Sequence, residues 1–415
     1  MKIGEFARKY NTNASTIRYY IEKALLTPQR KNGQYLFNHA CMEEMEKIQR
    51  GKQYRFTLEE IELLFYYEKA SNLKDKAVIN EIIQVFNKKV QELEHEKKEL
   101  NRILDCLKEE IEAYRSKKAE AEAEAKKGGK AHVPLEALEI LHCPHCRKQL
   151  TLKGADIQGE GISKGTFGCS CGYEAVVSDG ILICEGYTQD TPFKVFENID
   201  SVLAITDDFS HSYRTLIEKA HLWMYQQLAA CDIPNYIMAG PFSYNFILKH
   251  MRELPEQSVY VVMDISLKKI EKLKQYFAGM RRKIVFMAGA IDRIPLKTGC
   301  IDLYIDDFSN QNYVFTYNEY LLGQIVPLLH KRGKIIGQLV DYSSAQKSLE
   351  NFKKDHISFM PGMMAIQKMY GNFSMAGIKI VEENKLEPPQ GNKQDFLRQV
   401  GKEKVQLRAY LAQKQ

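Results

Sequence analysis

The residues best suited to chemistry are cysteines. Cys143-Pro144-His145-Cys146 is a CxxC pair, and after 22 intervening residues comes Cys169-Ser170-Cys171-Gly172. Four thiolates on two tight turns can close a tetrahedron around Zn²⁺. Four protein ligands leave no open position for catalysis, so such a site is structural. The expected ligands are Cys143, Cys146, Cys169 and Cys171; because the second pair is CxC, Cys184 or His145 could stand in for one. Gly168 and Gly172 allow the second turn to be sharp. The competing reading, unpaired buried thiols, does not account for two pairs within 29 residues. Nine cysteines in 415 residues are an odd number and too sparse for a disulfide scaffold.

A second group is cationic. Residues 1–37 hold Lys2, Arg8, Lys9, Arg18, Lys23, Arg30 and Lys31 against Glu5 and Glu22, a net +5 of the chain's +6. A basic end on a balanced protein is an electrostatic footprint for a polyanion such as nucleic acid. The same segment has the pattern of two short helices. Ile3, Phe6 and Ala7 give the first an apolar side, Asn11-Thr12-Asn13 breaks it, and Asn13 is a good N-cap for a second helix. Two helices across a three-residue turn form a helix-turn-helix. The second helix turns Ile17 and Ile21 inward and leaves Ser15, Thr16, Arg18 and Tyr19 on the half that enters a major groove.

Thr16-Ile17-Arg18-Tyr19-Tyr20, Ala24-Leu25-Leu26-Thr27-Pro28, Asn32-Gly33 and Phe56-Thr57-Leu58-Glu59-Glu60-Ile61 closely resemble the MerR family of transcription regulators. The resemblance implies a winged helix-turn-helix with Gly33 at the wing tip and an antiparallel coiled-coil dimer. It also implies a double-stranded, pseudo-palindromic promoter with an overlong spacer that the protein untwists, so that DNA deformation enters the recognition energy. It assigns DNA contacts to Arg18 and Tyr19, a supporting role to Tyr20, and wing positions to Arg30 and Lys31. Where the family usually has Tyr-Arg after the wing glycine, this chain reads Gln34-Tyr35-Leu36-Phe37. The wing thus loses a phosphate-binding Arg, and Tyr35 is left to hydrogen-bond in its place.

Around the cysteines, Leu150 and Val177-Ser178-Asp179-Gly180-Ile181-Leu182 resemble the small zinc ribbons attached to methyltransferases, the zinc-bearing ribosomal RNA guanine methyltransferases among them. Such a ribbon implies substrate contact or bracing. Further on, apolar runs at 236–240, 259–264, 284–286, 301–305 and 334–337 alternate with helical patterns, the sign of a doubly wound sheet with its crevice at the strand carboxyl ends. Gly289-Ala290-Ile291-Asp292-Arg293-Ile294-Pro295-Leu296 followed by Ile301-Asp302, with Leu328-Leu329-His330-Lys331-Arg332-Gly333, resembles class I S-adenosylmethionine-dependent methyltransferases. That resemblance makes Gly240, Asp264, Ala290 and Ile291 the cofactor-binding positions, with Asp264 accepting the ribose hydroxyls and Ala290 standing where an Asp meets the adenine. The glycine-rich turn that should admit the methionine part reads Gly240, Phe242 and Tyr244, with Met238 in place of an acid and Pro241 lacking a donor. The crevice is therefore expected to be remodelled for another ligand or closed, and no catalytic residue is assigned.

These groups need elements to hold them. Ile83, Val90, Lys97, Leu104 and Ile111, with Phe86, Leu93, Leu100, Leu107 and Tyr114 offset by three, are the a and d positions of a heptad, apolar at nine of ten places. No second heptad run exists to cover this stripe within the chain, so a homodimer is expected. The resulting fold class is multidomain. It comprises a winged helix-turn-helix at 1–75, a coiled-coil helix at 76–126, a linker at 127–137, a zinc ribbon at 138–187 and a Rossmann-like α/β domain at 188–415. Hydrophobic residues at 44% and charged residues at 27% exclude collagen-like or wholly disordered chains. No apolar run approaches the roughly 20 residues of a membrane span, and MKIGEFARKY does not read as a secretory signal, so cytoplasm without a membrane partner is expected. The function expected is a dimeric DNA-binding regulator with a methyltransferase-like sensor or effector module that responds to a small molecule. The alternative is a methyltransferase acting on nucleic acid or a small molecule, targeted by its helix-turn-helix. A third option is that the C-terminal domain only braces the dimer.

Overall fold

The computed structural model describes residues 1–71, 74–127, 132–159, 161–190, 211–241, 243–277, 280, 282–355, 360–387, 403 and 405–415. These form two compact units, Met1–Ala119 and Glu120–Gln415. No described helix is long and apolar enough to cross a membrane.

The first unit contains α1 (Ile3–Lys9), α2 (Ala14–Glu22), β1 (Gln29–Lys31), β2 (Gln34–Leu36), α3 (His39–Gln53), α4 (Leu58–Ser71) and most of α5 (Lys76–Lys127). Asn13 caps α2, its side-chain oxygen accepting the Thr16 N–H at 2.7 Å and the Thr16 hydroxyl at 2.9 Å. A cap of this kind is worth about 1 kcal/mol. Ile17 and Tyr20 turn into a core with Phe6, Leu25, Leu26, Phe37 and Ile48. Between β1 and β2, Asn32 (φ 48°) and Gly33 (φ 77°) both take left-handed backbone. Two such residues closing the Lys31–Gln34 pair make the tight hairpin turn that Asn-Gly favours, and this is the wing. Thr57 and Glu60 form a reciprocal cap at the start of α4 (2.7 and 3.2 Å). Lys89 of α5 reaches Glu60 at 2.9 Å, and Phe86 meets Phe56 edge-on at 5.2 Å. The rest of the heptad stripe lies on the surface: Leu104 is 52% exposed, and Val90, Leu100, Leu107 and Ile111 are similarly open.

The second unit is built on a twelve-stranded sheet. Its strands are β3 (Val133–Pro134), β4 (Thr151–Gln158), β5 (Gly161–Gly168), β6 (Glu174–Ser178), β7 (Ile181–Ile183), β8 (Tyr236–Ala239), β9 (Val259–Asp264), β10 (Lys283–Ala288), β11 (Ile301–Asp307), β12 (Leu329–Asp341), β13 (Ile378–Leu386) and β14 (Gln406–Lys414). The order β13-β14-β12-β11-β8-β9-β10-β7-β6-β5-β3 places β4 on β5. Strands β7 to β12 are parallel where they pair in this order, and β14 and β13 are antiparallel. Helices α6 (His211–Ala229), α7 (Tyr244–His250), α8 (Leu267–Tyr276) and α9 (Ser309–Tyr317) follow the pattern of a doubly wound sheet.

The central strands are buried on both faces, so they read as apolar runs rather than alternations. Val261, Met263, Val285 and Met287 enter one core, and Tyr260, Val262, Ile284 and Phe286 the other. The cysteine-bearing ribbon is continuous with this body. β7 pairs in parallel with the β10 edge, Phe286 opposite Ile181, and the ribbon's Leu141, Phe167 and Val177, with Val133 just before it, share a core with Met238 and Val261. The strands of segments 138–187 and 188–415 share one sheet, because the sheet edge at β10 accepts β7 as its next strand.

Candidate functional site

Three groups of sequence-selected residues come together in different places. In the first unit, Ser15, Arg18 and Tyr19 are exposed along the amino-terminal half of α2, with Thr16 half-buried at its cap. Arg30 and Lys31 are exposed on β1. Tyr35 pairs with Arg30 across the hairpin, and the Arg30 guanidinium lies 5.7 Å from the Tyr35 ring centre. The wing and the two helices enclose an open groove lined by Lys2, Glu5, Arg8, Arg18, Gly33 and Tyr35. Three cations face one acid there. Arg8 spends its Nε on the Gly4 carbonyl at 3.3 Å, and Arg18 has no hydrogen bond or ion pair among the described residues. From sequence Arg8 counted only toward the basic charge of residues 1–37 and was assigned no DNA contact. It sits on a different helix from Arg18, and only the packing of α1 on α2 puts the two in one groove.

In the second unit, the four cysteine Sγ atoms all lie within 4.8 Å of one another, with Cys143–Cys171 at 3.4 Å and Cys146–Cys169 at 3.3 Å. A disulfide needs about 2.05 Å, whereas the edge of a zinc–thiolate tetrahedron with bonds of about 2.3 Å is about 3.8 Å. The donor set therefore fits a tetrahedral metal. Each turn is closed by its own backbone: Arg147 N–H on the Cys143 carbonyl (2.9 Å) and Gly172 N–H on the Cys169 carbonyl (3.0 Å). Arg147 (φ 63°) and Gly172 (φ 95°) are both left-handed, so Gly172 has the role foreseen, whereas Gly168 ends β5 without it. Burial pushes the Cys143 thiol up to about 12, while the Cys171 backbone N–H and the Cys146 thiol pull Cys169 down to about 6. Among the described residues neither considered substitute joins the cluster. His145 faces Glu185 at 3.3 Å, and Cys184 is buried with its sulfur toward the Leu182 carbonyl.

The third group, Gly240, Asp264, Ala290 and Ile291, gathers at the carboxyl ends of β8, β9 and β10. Asp264 is fully buried. Its Oδ1 accepts the Ser266 N–H at 2.8 Å and its Oδ2 accepts the Tyr244 hydroxyl. Burial raises its carboxyl above the usual range, opposed by nearby Lys269, itself buried and lowered. Beside Gly240 the space is filled, since a Cβ there would run into the Tyr304 hydroxyl and lie 2.9 Å from its Cζ. Ala290 meets the segment 184–190, which runs across the ends of β9 and β10, and Ile291 is half-buried beside it in sequence. Ala290 N–H donates to the Glu185 carbonyl (3.1 Å), Thr188 N–H to Ile265 (2.8 Å) and Leu267 N–H to Thr188 (2.8 Å). Tyr244 and Tyr313 are buried and Phe308 half-buried, and Phe242 lies outside the described residues.

Next to this crevice, the end of β11 carries a buried polar cluster around Asp306, Asp307 and Ser309. His221 Nε2, from α6, lies 3.2 Å from both Asp307 carboxylate oxygens, and Gln338 Nε2 donates to Asp307. Ser243 and Ser309 share a 2.6 Å hydrogen bond. Asp306 accepts the Asn310 N–H (2.7 Å) and the Tyr410 hydroxyl, and burial pushes its carboxyl up to about 6. Phe308, at φ 61°, turns the chain from strand to helix. His221 Nδ1, Gln338 Oε1 and the Tyr304 hydroxyl are buried without a hydrogen-bond partner among the described residues.

Residues 1–68 match the model of the MerR HTH family regulatory proteins. No curated protein matches the chain. Among solved structures, the chain is similar to the MccD protein (11% identity, 47% of this chain and 96% of that one, TM-score 0.36). It is also similar to a putative sarcosine dimethylglycine methyltransferase from Galdieria sulphuraria (11%, 48% and 87%, TM-score 0.35). A third is geranyl diphosphate C-methyltransferase from Streptomyces coelicolor (7%, 49% and 80%, TM-score 0.38). These likenesses are remote, and the reading of the second unit as a Rossmann-like methyltransferase fold rests on its strand order and direction.

Proposed function

We propose that the protein is a cytoplasmic transcription regulator that binds double-stranded promoter DNA as a homodimer and carries its α/β unit as an effector module. The observation that carries this reading is the cationic groove in which Arg8 and Arg18 lie beside the wing, on a MerR-type helix-turn-helix. The exposed half of α2 enters the major groove, where Ser15, Thr16, Arg18 and Tyr19 meet base edges and flanking phosphates. Arg30, Lys31 and Tyr35 follow the backbone on the wing, and Arg8 takes a phosphate from the α1 side. Each neutralised phosphate releases counterions, so binding weakens with salt.

The exposed apolar stripe of α5 supports the dimer, since burying it against a twin stripe removes from water the side chains that one chain leaves open. Zinc held by Cys143, Cys146, Cys169 and Cys171 pins the two ribbon turns, as a closed four-thiolate site does. An effector that binds one arrangement of the dimer better than another shifts the twist imposed on DNA, with a coupling of about 1–3 kcal/mol.

Arg18→Ala tests the reading. In a gel shift against DNA fragments selected by the wild-type protein, it abolishes sequence-specific binding while sedimentation still reports a dimer. Undiminished binding by this variant removes the recognition-helix assignment, and a lone subunit in sedimentation removes the dimer.

The sheet order favours a second reading, methyl transfer to nucleic acid or a small molecule. It requires S-adenosylmethionine to reach the ends of β8, β9 and β10, and the residues there do not fit that group.

A further inference from the structure

We infer that the α/β unit has closed the adenosyl crevice of its own fold and works without S-adenosylmethionine. Tyr304, Tyr244 and the 184–190 segment stand where the cofactor's methionine, ribose and adenine parts would lie. Three separate contacts carry this. At Gly240, the glycine whose bareness should admit the methionine part, the Tyr304 hydroxyl, with the ring behind it, already fills the cradle that a Cβ would enter. At Asp264, the carboxylate that should accept two ribose hydroxyls has one oxygen on Tyr244 and the other on the Ser266 N–H. At Ala290, the backbone N–H is spent on Glu185, and a Cβ on Gly186 would lie 2.7 Å from the Ala290 Cβ.

The closures differ in how hard they are to undo. Turning Tyr244 away leaves a fully buried carboxylate short of one hydrogen bond, which a ribose hydroxyl could replace. Tyr304 is fully buried within the core, so its ring has no exposed alternative position. The 184–190 segment is tied by backbone hydrogen bonds on both sides, to Ala288, Ala290, Ile265 and Leu267, and continues from β7 of the sheet. Admitting the adenine therefore means breaking a strand-like pairing, not rotating a side chain. The inference is independent of the DNA-binding reading.

The test uses the full-length, metal-loaded chain. Isothermal titration with millimolar S-adenosylmethionine and S-adenosylhomocysteine gives no binding heat, and neither compound shifts the thermal midpoint. Native mass spectrometry of the freshly purified chain shows protein and metal without a nucleoside. A dissociation constant of about 100 μM or tighter for either compound, or a co-purified adenosyl nucleoside, overturns the inference; 100 μM corresponds to roughly −5.5 kcal/mol. Tyr304→Phe supplies a second reading, because it keeps the ring, 2.9 Å from where a Gly240 Cβ would sit, and removes the hydroxyl in front of it, which has no hydrogen-bond partner among the described residues. The variant melts at or above the wild-type midpoint. A fall of several degrees shows that the hydroxyl holds something in the crevice and counts against closure.

Discussion

Arg18 and Asp264 hold comparable stations in their two units, each the charged residue that the surrounding pattern marks for a ligand. Their surroundings are opposite. Arg18 is exposed and has no ion pair among the described residues, whereas Asp264 is fully buried with both carboxylate oxygens taken by the protein itself. A pattern of residue types survives in both places, but only a group left without an internal partner keeps free energy to offer a ligand. In the first unit the cations of the groove repel one another until a polyanion arrives. In the second, Tyr244 and the Ser266 N–H already satisfy the acid. A resemblance in residue pattern therefore leaves an available charge in one unit and a satisfied one in the other.

The contrast can be tested most forcefully at the cysteines. Because the ribbon shares its sheet and core with the α/β body, Cys146→Ser or chelation of the metal lowers the melting of the whole second unit, by at least about 10 °C. DNA binding by the first unit is weakened far less at temperatures where its own fold survives. Calorimetry of metal-loaded and stripped protein measures this, and a separate small ribbon transition with the main peak unmoved would break the one-body description.

The next effect is a pH dependence confined to the second unit. Asp306 has its carboxyl raised to about 6 from an ordinary 3.8, so the folded state holds its proton more tightly than the unfolded chain. That stabilisation is complete below pH 3.8 and is lost as pH rises through 6, a swing of about 3 kcal/mol at about 1.4 kcal/mol per unit. Asp306→Asn removes the swing. The variant's stability relative to wild type rises between pH 4 and 7 in urea titrations, and a flat difference across that range refutes the buried, raised acid.

The smallest expected effect sharpens the first unit. Arg8→Ala leaves thermal stability nearly unchanged, since Arg8 is exposed and makes one backbone hydrogen bond. It lowers DNA affinity uniformly across sequences and reduces the slope of log K against log salt by about 1. A change in sequence preference instead would make Arg8 a base reader, and no change in slope would take it out of the interface.

Much of the fold was legible because it depends on neighbours in the chain. Asn13 caps α2 through Thr16, Asn32-Gly33 turns the wing, Thr57 and Glu60 cap α4, and the Cys pairs make their own turns. The apolar runs at β8, β9 and β10 were readable since strands buried on both faces need no alternation. What escaped were meetings between distant segments. Arg8 beside Arg18 depends on helix packing, and β7 adding to β10 joins residues about 100 positions apart. His221 on Asp307 joins α6 to β11 across 86 residues.

From its sequence alone, this chain determines where helices begin, where the wing turns, which four thiols can share a metal, and which strands run through a core. Those outcomes follow from spacing along the backbone, which sets side-chain direction within a few residues. Whether a charged group is available to a ligand was decided only by tertiary structure. Tyr244 reaches Asp264 and Tyr304 fills the space at Gly240 because strand order sets β8 between β9 and β11. Desolvation and hydrogen bonding act on whatever that order brings within contact, and no local periodicity encodes it.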